Sequence, residues 1–258
     1  MNRIERTFKN LRNQNKKAFI PYIMAGDPSL EKTKDTVLLL EKCGADIVEL
    51  GVPFTDPLAD GPTIQRASER ALKNGVTLRK VIAFVKGLRQ ITQVPIALMT
   101  YYNPVYKSNE ENFVKDATDA GVDGVIIPDL PPDEAGYFIK LSRKLALDNI
   151  FLLAPTSTED RIKKVARAST GFIYYVSITG VTGANLLFDG SMDILISKIR
   201  KYTDKPIAVG FGISTHEEAS AVARVADGVV VGSAIVKRLY ESPDNLKDYL
   251  ISLREAIR

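Results

Sequence analysis

Two carboxylates are placed where they could do chemistry. Glu49 closes the short apolar run Asp46-Ile47-Val48-Glu49-Leu50, and Asp60 follows in the loop Gly51-Val52-Pro53-Phe54-Thr55-Asp56-Pro57-Leu58-Ala59-Asp60-Gly61-Pro62. In a strand Glu49 shares a face with Ile47, since side chains alternate from one face to the other. A carboxylate on an apolar face loses hydration, which raises its pKa and suits it to give and take protons near neutrality. The structural alternative is a buried ion pair, which perturbs a carboxylate as well. The loop tilts the balance towards chemistry: its prolines fix φ and its glycines permit unusual turns, as if to hold a shape. Asp60 then becomes a second carboxylate over the same strand end, where an isolated loop aspartate would be a turn former.

A second signal is glycine-rich. Two apolar runs pass into Gly210-Phe211-Gly212-Ile213-Ser214 and Val231-Gly232-Ser233-Ala234, turns whose backbone N–H groups can approach an anion such as phosphate. A tight structural turn explains one such motif equally well, but a pair points to an anion. The segment Thr179-Gly180-Val181-Thr182-Gly183-Ala184-Asn185 has no helical period before Leu186 and reads as a lid, or as a plain connection.

These residues need a scaffold, and β-rich runs recur to supply one: Phe19 to Met24, Ile47 to Leu50, Ile96 to Met99, Val125 to Ile127, Phe151 to Leu153, Phe172 to Val176, Ile207 to Val209 and Val229 to Val231. Stretches of helical period such as Ser29 to Cys43 and Glu110 to Ala120 lie between them, so parallel βαβ units are expected. Eight units predict an α/β fold, a (β/α)8 TIM barrel formed by residues 1–258 as a single domain, with chemistry at the C-terminal strand ends. Ile4, Phe8 and Leu11 predict an additional N-terminal helix across the barrel bottom. Gly44-Ala45-Asp46, Gly121-Val122-Asp123 and Val225-Ala226-Asp227 each precede a strand and read as equivalent helix-to-strand turns in units of about 26 residues. The connection Pro53 to Thr77 carries a surplus of roughly 25 residues, and long loops are often functional. Asp27-Pro28 reads as N-cap and N1 of the next helix, with Gly44 closing it.

Composition narrows the classes. The balance of 45% apolar and 26% charged residues is that of a soluble globular protein, and no apolar run reaches the ~20 residues of a membrane helix. The charged N-terminus does not read as a secretory signal, so a cytoplasmic protein is expected. Cys43 is expected in the core. The net charge of +4 is dispersed, and nucleic-acid binding gains no support. His216, the lone histidine, reads as a solvated first-turn helix residue, and no metal site is expected.

The run from Val48 to Gln65 resembles the signature of the tryptophan synthase alpha chain. Pro21 to Asp27, Gly180-Val181-Thr182-Gly183, Gly210 to Ile213 and Gly232 to Lys237 resemble the same family in the same order, so the likeness spans nearly the whole chain. The resemblance implies retro-aldol cleavage of indole-3-glycerol phosphate to indole and glyceraldehyde 3-phosphate in tryptophan biosynthesis. It places catalytic roles on Glu49, Asp60 and Tyr174. Glu49 would move the protons at indole C3 and the 3′-hydroxyl, and Asp60 would accept the indole N–H and stabilise the cationic tautomer. Phosphate contacts would fall on Gly183, Gly212, Gly232 and Ser233, and the indole pocket on Tyr22, Met99, Tyr101, Ile126 and Phe211, with Thr182 closing over Asp60. Tyr22 departs from the phenylalanine of many relatives. The resemblance further implies docking on a beta chain, two alpha with two beta subunits, through Pro53, Asp56, Pro57, Asn103 and Pro104. Pyridoxal phosphate would sit on the beta chain and no cofactor on this one.

Other aldol strategies fit less well: no run ends in a lysine for a Schiff base, and Gly210-Phe211-Gly212 lacks the third glycine of a nicotinamide fingerprint. The rivals are a phosphosugar-isomerase barrel, a catalytically idle regulatory barrel, and a stand-alone lyase that releases indole without a partner.

Overall fold

The computed structural model describes residues 1–176, 191–210 and 212–257. Its described strands are parallel and follow one another around a ring: β1 (Ala18–Met24), β2 (Val48–Gly51), β3 (Ile96–Met99), β4 (Gly124–Ile126), β5 (segments Asp148–Ile150 and Leu152–Leu153), β6 (Ile173–Val176), β7 (Ile207–Gly210) and β8 (Gly228–Val231). β1 pairs with both β2 and β8. Closure happens within β5, whose first segment pairs with β4 and whose second pairs with β6. The eight expected strands are all present, so the barrel is the observed fold.

The described helices are α1 (Arg3–Asn13), α2 (Leu30–Lys42), α3 (Pro62–Lys73), α4 (Leu78–Leu88), α5 (Tyr102–Lys107), α6 (Glu110–Asp119), α7 (Gly136–Lys144), α8 (Glu159–Ala168), α9 (Ser191–Arg200), α10 (His216–Val225), α11 (Ser233–Glu241) and α12 (Leu246–Ala256). Among the described residues no helix is long and apolar enough to cross a membrane. Cys43 is buried at the end of α2, and His216 is the exposed first residue of α10. About half of the surplus between Pro53 and Thr77 is α3, an extra helix of 12 residues between β2 and the helix α4 of its own unit.

Two apolar sets follow from the strand alternation. Outward side chains such as Val48 and Leu50 pack under the helices, whereas Ile20, Ile47, Ala97, Ile126, Ile150, Phe172, Ala208 and Val230 fill the barrel interior. Ile4, Phe8 and Leu11 of α1 join the interior set, so α1 plugs the bottom as expected.

The repeated aspartates have one job. Asp46, Asp123 and Asp227 each accept a backbone N–H from the neighbouring strand, from Phe19 (2.8 Å), Ile96 (2.9 Å) and Ile207 (2.8 Å) respectively. Each also pairs with an arginine, Arg254, Arg89 and Arg200 in the same order. An N–H at the entry to a strand that lacks a ladder partner needs an acceptor, and a charged carboxylate satisfies it.

The expected cap of α2 needs correction. Ser29 is the N-cap, its side chain accepting from the Lys32 N–H at 3.1 Å. Asp27 is taken instead by Arg70 in a two-point pair at 2.7 Å each. The bidentate charge pair is the stronger interaction for a carboxylate, which leaves the serine to cap.

Replacing Asp123 with Ala strips a buried acceptor from both the Ile96 N–H and Arg89, and is expected to cost about 3–5 kcal/mol of stability in urea unfolding. Arg3→Ala removes the outer partner of the same carboxylate and is expected to cost about 1 kcal/mol or less. Similar losses from the two variants would contradict this division.

Candidate active site

The C-terminal mouth of the barrel holds a cavity of ≈ 270 Å³ whose lining includes Tyr22, Glu49, Asp60, Met99, Tyr174, Gly212, Gly232 and Ser233. Each of these was expected from the sequence. β2 is short and wholly buried, and its alternation points Glu49 inward above Ile47. In register, Glu49 lies between Tyr22 of β1 and Ala97 of β3. Glu49 is 1% exposed, and its Oε2 has no hydrogen-bond partner among the described residues. Burial, reinforced by the nearby Asp60, pushes its pKa up to about 8. The same group in water would be ionised at neutrality; here the proton stays on.

Asp60 is tied down from several directions. Tyr101 Oη donates to Asp60 Oδ2 at 3.0 Å, the Asp60 N–H reaches the Pro57 carbonyl at 3.0 Å, and Gln65 Nε2 donates to the Asp60 carbonyl at 2.9 Å. Desolvation raises its pKa to about 6 against the lowering effect of the Tyr101 hydrogen bond. At pH 7 the pair is therefore mixed, with Glu49 protonated and Asp60 ionised. Environments that separate two titratable groups in this way assign an acid and a base.

Tyrosines complete the polar surface. Burial pushes the Tyr22 and Tyr174 phenols well above their ordinary range, with Asp60 and Glu49 adding to it, so both keep their protons. Their rings need glycines beside them: a Cβ on Gly51 would collide with the Tyr22 phenol, and one on Gly210 would come within 2.5 Å of the Tyr174 hydroxyl.

The turns expected to bind phosphate open on the same cavity. Gly212 has φ of 77°, a conformation that favours glycine. Gly232 is the N-cap of α11 and supplies no side-chain cap, so the positive end of the helix is available to an anion.

Some expected residues lie elsewhere. Ile126 belongs to the interior set, beside Met99 in register, and is not among the described lining residues, and Tyr101 is bonded to Asp60. Thr182, Gly183 and Phe211 lie outside the described residues, as does the segment 179–185. The cavity also recruits Gly61, Pro62, Thr63 and Ile64 at the start of α3, and Ile213 and Val230. Proline one residue after Gly61 signals a helix start and could have located the first group. Among the described residues no group of three or more His, Cys, Asp or Glu is placed to hold a metal ion.

Of the residues expected at a partner interface, Pro53, Asn103 and Pro104 line a second, open groove of ≈ 510 Å³ together with Phe54, Leu78 and Ile82. Asp56 is exposed and Pro57 half-buried further along the loop, outside that lining, and Leu58 beside them is 94% exposed.

The model of the tryptophan synthase alpha chain family matches residues 8–258. A chain of that name from Geobacter sulfurreducens is 52% identical, covering all of this chain and 99% of its own length, and one from Geotalea daltonii is 55% identical, covering 92% of this chain and 90% of its own. The chain belongs to the tryptophan synthase alpha chain family. The solved alpha subunit from Legionella pneumophila superposes with a TM-score of 0.91 at 38% identity, covering 100% of this chain and 98% of its own. The family is a lyase that cleaves indole-3-glycerol phosphate to indole and glyceraldehyde 3-phosphate in tryptophan biosynthesis, and it works with a beta subunit.

Proposed function

We propose that Glu49 carries both proton transfers of the cleavage and that Asp60 holds the indole nitrogen. The protonated Glu49 carboxyl gives its proton to indole C3, which leaves positive charge on the ring nitrogen. Asp60, ionised, accepts the N–H and stabilises that charge. Glu49, now a carboxylate, takes the proton of the substrate hydroxyl; the aldehyde forms, the C–C bond breaks, and its electron pair returns to the ring to give neutral indole. Glu49 ends protonated, as it began. The observation that carries this reading is the placement of the pair in one cavity, Glu49 buried with an unpartnered carboxyl oxygen and Asp60 held by Tyr101, an arrangement that pushes the first up to about 8 and the second to about 6.

Tyr174 orients the substrate from β6. Tyr22 and Met99 wall the indole, with Tyr101 and Ile126 behind them. The phosphate is held by Gly212, Gly232, Ser233 and the N-terminus of α11, a favoured position for an anion after barrel strands 7 and 8. Thr182, Gly183 and Phe211 are assigned here by the resemblance alone. The reaction is expected to run in the cytoplasm.

The productive state needs Asp60 ionised and Glu49 protonated. The rate is expected to fall below about pH 6, where Asp60 gains a proton, and above about pH 8, where Glu49 loses one. Glu49→Gln should lower kcat by about 10²–10⁴ with KM within a few-fold. Indole formation followed from pH 5 to 9 checks both, and a variant with near-normal turnover removes Glu49 from the mechanism. Absence of indole from the unaltered chain would favour another phosphosugar reaction.

The partner in this reading is a pyridoxal-phosphate beta chain, two copies with two of this one, seated at Pro53, Asp56, Pro57, Asn103 and Pro104 and receiving the indole. The open groove beside the barrel mouth supports it. Titrating beta chain into this protein is expected to raise the cleavage rate, and Asn103→Glu to weaken the complex by about tenfold or more, as read by calorimetry. Full turnover with no measurable complex would identify a stand-alone lyase.

A further inference from the structure

Tyr101 was expected to be a wall of the indole pocket, and its geometry gives it a different task. Its ring is absent from the cavity lining. Its single hydroxyl makes two bonds at once, accepting the Ala59 N–H at 3.0 Å and donating to Asp60 Oδ2 at 3.0 Å. A phenol has one proton to give, so the bond from Ala59 leaves that proton aimed at the carboxylate.

The ring is itself held on both sides. It is the N-cap residue of α5, and the next N–H, that of Tyr102, is fixed by Asp129 Oδ1 at 2.9 Å. Its face stacks on Phe54, with ring centroids 5.2 Å apart. Phe54 is clamped through its backbone by the Ser68 hydroxyl of α3, which accepts the Phe54 N–H at 2.9 Å and donates to the Phe54 carbonyl at 2.9 Å.

We propose that Tyr101 is the positioning residue of Asp60, fixing the direction and the ionised form of that carboxylate through one hydroxyl. The inference rests on the assignment of Asp60 to the indole nitrogen. Among the described residues, the groups that face Asp60 are Glu49 from β2, Tyr22 from β1, Tyr174 from β6 and Tyr101 from the end of β3, with Asp129 acting on Tyr101 from the loop after β4. None of these is a cation. Tyr101 is the contact that favours the charged form of Asp60 against its burial. A carboxylate that must receive an N–H from a flat ring gains from being held at a fixed angle, since small misplacements cost large factors in rate.

The test uses Tyr101→Phe, which keeps the ring and the stack, and 3-fluorotyrosine at position 101, which keeps the hydroxyl and makes it a stronger donor. Tyr101→Phe is expected to lower kcat by about 10-fold or more, the worth of one hydrogen bond to a charged group, with KM within about two-fold. The acid limb of the kcat/KM profile should move above its position near pH 6 while the alkaline limb stays in place. With 3-fluorotyrosine the acid limb should move the other way. A carbon-13 titration of the Asp60 carboxyl in both proteins reads the same shifts without turnover. An acid limb and an Asp60 titration unmoved in both proteins would overturn the proposal, as would a rise in KM at constant kcat, which marks a substrate wall. Asp60→Asn is run alongside: normal turnover in that variant would remove Asp60 from the reaction, a failure of the underlying assignment and distinguishable from a failure of Tyr101.

Discussion

The structure turns on a carboxyl group buried at the barrel mouth with no cation beside it among the described residues. Glu49 is enclosed by an apolar interior below and by tyrosines around it, and burial outweighs every other influence on its proton. A counter-ion would restore the charge and remove the acid. The contrast within a single strand segment is instructive. Asp46, at the entry to β2, is met by Arg254 and the Phe19 N–H, whereas Glu49, three residues on, has an oxygen with no partner. The aspartates at the entries to β2, β4 and β8 are spent on closing the ring, whereas Glu49 at the mouth carries no counter-charge among the described residues. That division agrees with the general separation of stability and activity between the two faces of such barrels.

The second carboxylate depends on a different support. Asp60 sits on a loop, and loops hold geometry only when something fixes them. Here α3 does so, gripping Phe54 through Ser68 and the Asp60 carbonyl through Gln65. The extra helix of this unit is thus the frame of the active loop, and Arg70 ties the same helix to the loop after β1.

Much of this was legible in the sequence because it rests on local rules. Alternation placed Glu49 inward, recurring β-rich runs gave the ring, and the repeated Asp46, Asp123 and Asp227 marked equivalent turns. The misreadings come from partners far away in the chain. β5 starts at Asp148, ahead of the expected Phe151, where Asn2 donates to the Asp148 carboxylate and the Asn149 N–H donates to the Thr170 hydroxyl. Asp27 looked like a cap until Arg70 claimed it. The resemblance names Tyr101 and Ile126 for the pocket; the packed barrel sets Tyr101 against Asp60 and Ile126 in the interior set, a placement that strand alternation alone does not decide.

The proposed chemistry depends on the proton of Glu49 in the resting protein. The direct measurement is a carbon-13 titration of glutamate side-chain carboxyls in the substrate-free chain, with Glu49→Gln assigning the signal. The expected midpoint lies near pH 8, with the carboxyl mostly protonated at neutrality. A midpoint near the ordinary value of 4.5 would mean that the mouth is wet or counter-charged, and would contradict the acid-base assignment on which the mechanism is built.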